Sequence, residues 1–166
     1  QNLTIGERVF QTFTRDTWRY AAPDGSFETR QFLLNGDVIL TESKGHLTSD
    51  IVDATTDLSG VVLEDLGRSN FYYIHDSRAV TKVSRRARFQ LRSVFEDPPH
   101  LTRLTVIVGK PVHAIMMKWL RALAPSIFSE WLIAPSLEAA LRRIEEHRQQ
   151  YRANTGEENE LAEFLN

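Results

Sequence analysis

The sequence predicts an α/β domain: a mixed β-sheet with about four helices packed on it, preceded by an N-terminal strand or hairpin extension. Three observations carry this. The runs Phe71-Tyr72-Tyr73-Ile74-His75 and Leu104-Thr105-Val106-Ile107-Val108 have the length and the β-branched and aromatic content of buried strands. Between and around them lie segments whose apolar residues recur at helical spacing. The resulting order is hairpin, helix, strand, helix, strand, helix, strand, helix, which implies a largely parallel or mixed sheet covered by helices.

Taken in order, residues 1–17 fit a helical face through Val9, Phe10 and Phe13 as well as they fit a strand. Trp18-Arg19-Tyr20 alternates, Pro23-Asp24-Gly25-Ser26 is a turn, and residues 27–34 read as a strand. Asn35-Gly36 is a strong hairpin signal, because both central residues of the favoured turn need positive φ. Residues 37–43 return as a strand that Gly45 is expected to end. Thr48 caps a helix with Ile51, Thr55, Leu58, Val62 and Leu66 on one stripe, stopped at Gly67. The strand 71–75 follows, and Asp76 and Ser77 open the loop after it.

From Ser84 a helix begins, with Val83, Ala87, Leu91, Val94 and Phe95 within one third of its circumference. Arg85, Arg88 and Arg92 fall on its far side with Phe89 among them. Pro98-Pro99 ends it. After the strand 104–108, Pro111 sits at a first-turn position and Val112, Ile115, Met116, Trp119, Leu120 and Leu123 form a buried stripe. Residues 127–133 read as a strand. Ser136 caps a last helix with Leu137, Ala140, Leu141, Ile144 and Tyr151 inward, and with Glu138 and Arg142 paired on its surface.

Composition narrows the function. A chain of 166 residues, 42% apolar, buries a core without staples. It has no cysteine, so no disulfide framework or thiolate metal site, which suits a reducing cytoplasm. No run of 18 apolar residues is present, so no membrane span is expected. A net charge of −2 argues against nucleic acid as a bulk electrostatic partner. The charge is uneven: between Arg78 and Arg103 six Arg and one Lys stand against Glu96 and Asp97, whereas residues 154–166 carry four Glu and no base. The chain opens on Gln1 without Met, as expected of a fragment or processed product.

No catalytic constellation emerges. His46, His75, His100, His113 and His147 show no metal-ligand spacing, and the eight glycines are scattered singly, without a phosphate-cradling loop. His75-Asp76-Ser77 has triad residue types, but three consecutive residues cannot converge as nucleophile, base and orienter. Neither metal nor cofactor is expected. Two loops at carboxyl ends of strands, with Asp76 and Ser77 in one and Lys110 and His113 in the other, lead to helix N-termini that favour an anion.

The hairpin ending in Gly45-His46-Leu47-Thr48, the runs 71–77 and 104–108, and the segment Ala134-Pro135-Ser136-Leu137-Glu138-Ala139-Ala140-Leu141 together resemble the STAS domain of sulfate transporters and anti-sigma-factor antagonists (SpoIIAA-like). The likeness covers residues 27–152, leaving 1–26 as an N-terminal extension and 153–166 as an acidic tail or linker to a further domain. It implies a regulatory or sensor module, often beside other signalling domains. Phosphorylatable members carry Asp-Ser and then Ser-Gly where the chain enters the helix after the central strand. Counting from Asp76, those positions fall on Ser84, Arg85, Arg86 and Ala87, so Arg85 occupies the acceptor position and the family's phosphoswitch is expected to be absent. Ser84 and Thr81 are the remaining acceptor candidates.

The reading is a non-catalytic module of a bacterial signalling protein, in the cytoplasm, that works by contact with a protein partner, an adjoining domain or a second copy in a homodimer. Its contact residues are Arg85, Arg88, Phe89 and Arg92, since aromatic and arginine side chains carry binding energy disproportionately. The alternative is a small-molecule or lipid sensor with an apolar pocket under the helices.

Overall fold

The computed structural model describes residues 2–5, 8–14, 17–67, 71–96, 103–110 and 131–155. The elements are β1 (Asn2–Ile5), β2 (Arg8–Thr14), β3 (Thr17–Ala21), β4 (Phe27–Leu34), β5 (Val38–Leu47), α1 (Ser49–Leu66), β6 (Tyr72–Val83), α2 (Arg85–Glu96), β7 (Leu104–Val108), β8 (Trp131–Ala134) and α3 (Leu137–Thr155). Among the described residues the strands form one eight-stranded sheet in chain order. Pairing is antiparallel from β1 to β5 and parallel from β5 to β8. Residues 2–5 and 8–14, which fit helix or strand equally well by sequence, pair as β1 and β2 at one edge of the sheet.

The expected hairpin is present. Asn35 and Gly36 have φ of 52° and 78°, and the Asp37 N–H closes the turn on the Leu34 carbonyl at 3.3 Å. Gly45 does not end β5, contrary to expectation. The strand runs on to Leu47 with register shifts at Glu42/Lys44 and Gly45/His46. Gly45 is required there because its φ is +102° and a Cβ would lie 2.1 Å from the Ser26 carbonyl oxygen.

Consecutive parallel strands joined by right-handed crossovers place α1 and α2 on one face of the sheet. Trp18, Ile39 and Tyr73 meet Ala54, Leu58 and Val62 of α1 there, with Phe71 in the same cluster. The α3 helix follows the last strand, is not a crossover, and folds onto the opposite face. There Ala140 and Ile144 pack with Val38, Leu40, Tyr72, Ile74, Val106 and Val108. Three helices lie among the described residues rather than about four: the helix expected over 112–123 and the first half of the strand expected over 127–133 lie outside them. Thr48 precedes α1 as its N-cap but makes no side-chain cap bond, and Gly67 ends the helix at φ 63°. Tyr151, expected inward, is 42% exposed. It lies so near the end of α3 that its ring meets the Arg103 guanidinium, 5.4 Å away, rather than the sheet.

Candidate functional site

The strand that leads to the site is longer than its apolar run. β6 continues past His75 to Val83, so Asp76 and Ser77 are strand residues and the expected loop does not exist. Backbone pairing with β5, which extends to Leu47↔Val83, holds this polar upper half in place without burial. Asp76 receives the Arg78 guanidinium at 2.7 Å, and that hydrogen bond pulls its carboxyl below the ordinary range. The Ser77 hydroxyl donates to the Val108 carbonyl at 3.2 Å. These two side chains brace the strand; they do not line an anion loop. Lys110 is exposed just beyond β7, and His113 lies outside the described residues.

At the end of β6, Ser84 turns the chain into α2. Its Oγ accepts the Ala87 N–H at 3.1 Å, and its N–H donates to the Leu47 carbonyl at 2.9 Å, tying the helix start to the top of β5. Ala87 is fully buried, and Gln90 donates to Asp53 of α1. These contacts fix which side of α2 faces inward. Arg85, Arg86 and Arg88 are exposed on the other side. Phe89 is 62% exposed, with the Arg85 guanidinium 6.0 Å from its ring centroid. Residues 9–13 belong to β2, which pairs with β3. Arg92 is on the same helix, its side chain outside the described residues. Thr81 is exposed on β6, and Ser84 is half-buried.

A second polar feature lies on the sheet itself. On the α3 face, beyond the cover of that helix, Glu28 and Arg30 of β4, Glu42 and Lys44 of β5, and Asp76 and Arg78 of β6 line an open shelf of about 530 Å³. Glu28 is its hub: it takes Lys44 at 2.7 Å and both Arg19 and Arg30 at 2.8 Å. Lys44 above all, with Arg19 and Arg30, holds its carboxyl down to about 2 against the opposing effect of burial. The sequence signal is an acidic residue followed two places later by a basic one on three neighbouring strands, which period-two alternation puts on one face.

Neither protein-family nor curated-protein comparison finds a match for this chain. Solved structures do match it. One is an uncharacterized protein of the DUF3478 family with a SpoIIAA-like fold from Shewanella loihica PV-4, 15% identical over 70% of this chain and 92% of the other, with a TM-score of 0.53. Another is an anti-sigma factor antagonist from Mycobacterium paratuberculosis, 19% identical over 75% and 98%, with a TM-score of 0.51. The fold is that of a divergent STAS-like domain. At these identities the likeness shows the fold alone; in this chain the α2 face follows Ser84, with Arg85 beside it. Among the described residues no helix is long and apolar enough to cross a membrane, and no group of three metal-ligating side chains occurs.

Proposed function

We propose that this STAS-like chain is a non-catalytic regulatory module of a bacterial signalling protein, acting through protein contact from the outer face of α2. One observation carries the reading: Phe89, 62% exposed, stands on a rigid helix beside Arg85 and Arg88. A large ring left in water by its own fold and flanked by guanidinium groups has the composition of an interface centre. The similarity of the fold to an anti-sigma factor antagonist supports a role of the same kind. The charged shelf supports no rival chemistry, since Glu28 and Asp76 are committed to neighbouring cations. The layer under α1 is filled by Trp18, Ile39, Leu58, Val62 and Phe71, which gives no support to the apolar-pocket alternative. The lack of cysteine suits a cytoplasmic setting.

The test is a photo-crosslinking phenylalanine analogue in place of Phe89, with Arg142 on the exposed side of α3 as the control site. The expected result is a discrete protein adduct from position 89 and none from position 142. Equal adducts from both positions, or none from either, overturn the contact surface.

A further inference from the structure

The α2 surface has no cover among the described residues, and the chain itself carries a segment of matching chemistry. Residues 156–166, outside the described residues, read Gly-Glu-Glu-Asn-Glu-Leu-Ala-Glu-Phe-Leu-Asn. They contain four glutamates and no base, and Leu161, Phe164 and Leu165 fall at the spacing of one helical face. The surface offers the converse: three exposed arginines, Arg85, Arg86 and Arg88, around one exposed ring.

Geometry decides whose tail can reach. Arg148 binds the Asp37 carboxylate at 2.9 and 3.0 Å, and the Asp37 carbonyl accepts the Tyr72 N–H, so Arg148 marks the amino end of β6. From there α3 runs on to Thr155, about 10 Å further from the sheet. β6 runs the opposite way for twelve residues, about 36–40 Å. α2 then turns back by only about 7 Å before Phe89. Phe89 and Thr155 are therefore separated by close to 40 Å along the strands, and they lie on opposite faces of the sheet. The chain from Thr155 to Phe164, fully extended, covers at most about 32 Å. The tail cannot cover its own α2.

We infer that residues 157–165 of one copy dock on the Arg85, Arg88 and Phe89 surface of a second copy, the glutamates meeting the arginines and Leu161 and Phe164 covering the Phe89 ring. The inference rests on the proposed reading of α2 as a contact surface and assigns its occupant. A pair of chains related by a two-fold axis makes the contact twice, since each carries one tail and one surface.

The experiment is sedimentation equilibrium of the full chain, of Phe89→Ala, of the charge-reversal pair Arg85→Glu with Arg88→Glu, and of a tail variant with Glu157, Glu158, Glu160 and Glu163 all changed to Gln. Circular dichroism checks that each variant folds. The wild-type chain is expected to dimerise, less tightly at 0.5 M than at 0.05 M salt. Each variant is expected to raise the dimer Kd by roughly thirtyfold or more. Mixing Phe89→Ala with the tail variant should recover a heterodimer, because one intact tail still faces one intact surface. A full chain that is monomeric at every concentration overturns the inference, and so does a tail variant as dimeric as the wild type. Either result, alongside an adduct from position 89 to a different protein, leaves the contact surface standing and removes only the tail as its occupant.

Discussion

Burial of the His75 ring, stacked on Tyr73 at 6.1 Å, disfavours its charged form and pushes its pKa down to about 4 from 6.5. The unfolded chain therefore takes up this proton first on acidification. Stability is unaffected above pH 6.5 and falls as pH drops from 6.5 towards 4, by up to about 1.4 kcal/mol per unit. Glu28 acts in a lower window. Its carboxyl is depressed from 4.5 to about 2, so its contribution is present above pH 4.5 and is lost between 4.5 and 2. Urea midpoints measured from pH 7 to pH 2.5 should show both declines. His75→Gln should flatten the upper one and Glu28→Gln the lower; an unchanged upper slope in His75→Gln would assign that decline to other groups. Phe89 poses the opposite case, a large ring with little to lose on truncation. Phe89→Ala should keep stability within about 1 kcal/mol of the wild type. A larger fall in the urea midpoint would mean that the ring is a core residue and not a contact.

The α2 helix shows how a short local signal sets a whole element. The Ser84 hydroxyl satisfies the Ala87 N–H, and Ser84→Ala should lower stability by about 1 kcal/mol. Ser84→Asp, which keeps an acceptor at the cap, should restore most of that loss in the same denaturation measurement. With the hydroxyl engaged and Arg85 following it, incubation in cell extract with ATP should leave Ser84 and Thr81 without stoichiometric phosphate by intact mass. The caps at Ser84 and Ser136 and the turn at Asn35-Gly36 were legible in the sequence because each depends on residues three or four apart. The outer face of α2 was legible for the same reason, since helical period alone separates Ala87 from Arg85, Arg88 and Phe89. The length of β6 was not. Its residues beyond His75 are half-buried or exposed and lack a continuous apolar run, and backbone bonds to β5, along a partner that Gly45 lets bend past Ser26, keep them extended together with the Asp76 and Ser77 side-chain bonds. The charged shelf was hidden because its six residues come from three strands that the sequence separates by up to 50 positions.

Across the whole molecule, the strands are added in series from one edge, and the load is not shared evenly. β1 pairs with β2, and β2 in turn with β3. β3 is different, because α1 rests on it: Trp18 is 1% exposed, its indole N–H donates to Asp65 at 2.7 Å, and Tyr20 joins the same cluster. On the opposite face the last helix is tied to the middle of the sheet over a long sequence separation, where the Arg148 guanidinium grips Asp37 of the β4–β5 hairpin and lies 5.4 Å from the Tyr72 ring. Burial lowers the Arg148 pKa, but the bonds and charge of Asp37, with those of Glu145, more than reverse it, so the net shift is upward. Among the described residues, α1 thus covers β3 to β6 on one face and α3 covers β4 to β8 on the other, with β1 and β2 paired outside β3. A chain beginning at residue 17 should fold cooperatively, with Tm within roughly 8 °C of the full chain. One beginning at residue 27 loses Trp18 and Tyr20, uncovers Leu58 and Val62, and should show no cooperative melt. Thermal denaturation followed by circular dichroism tests both. If the chain from residue 17 were already unfolded, the two outer strands would belong to the core, and the division at β3 would be wrong.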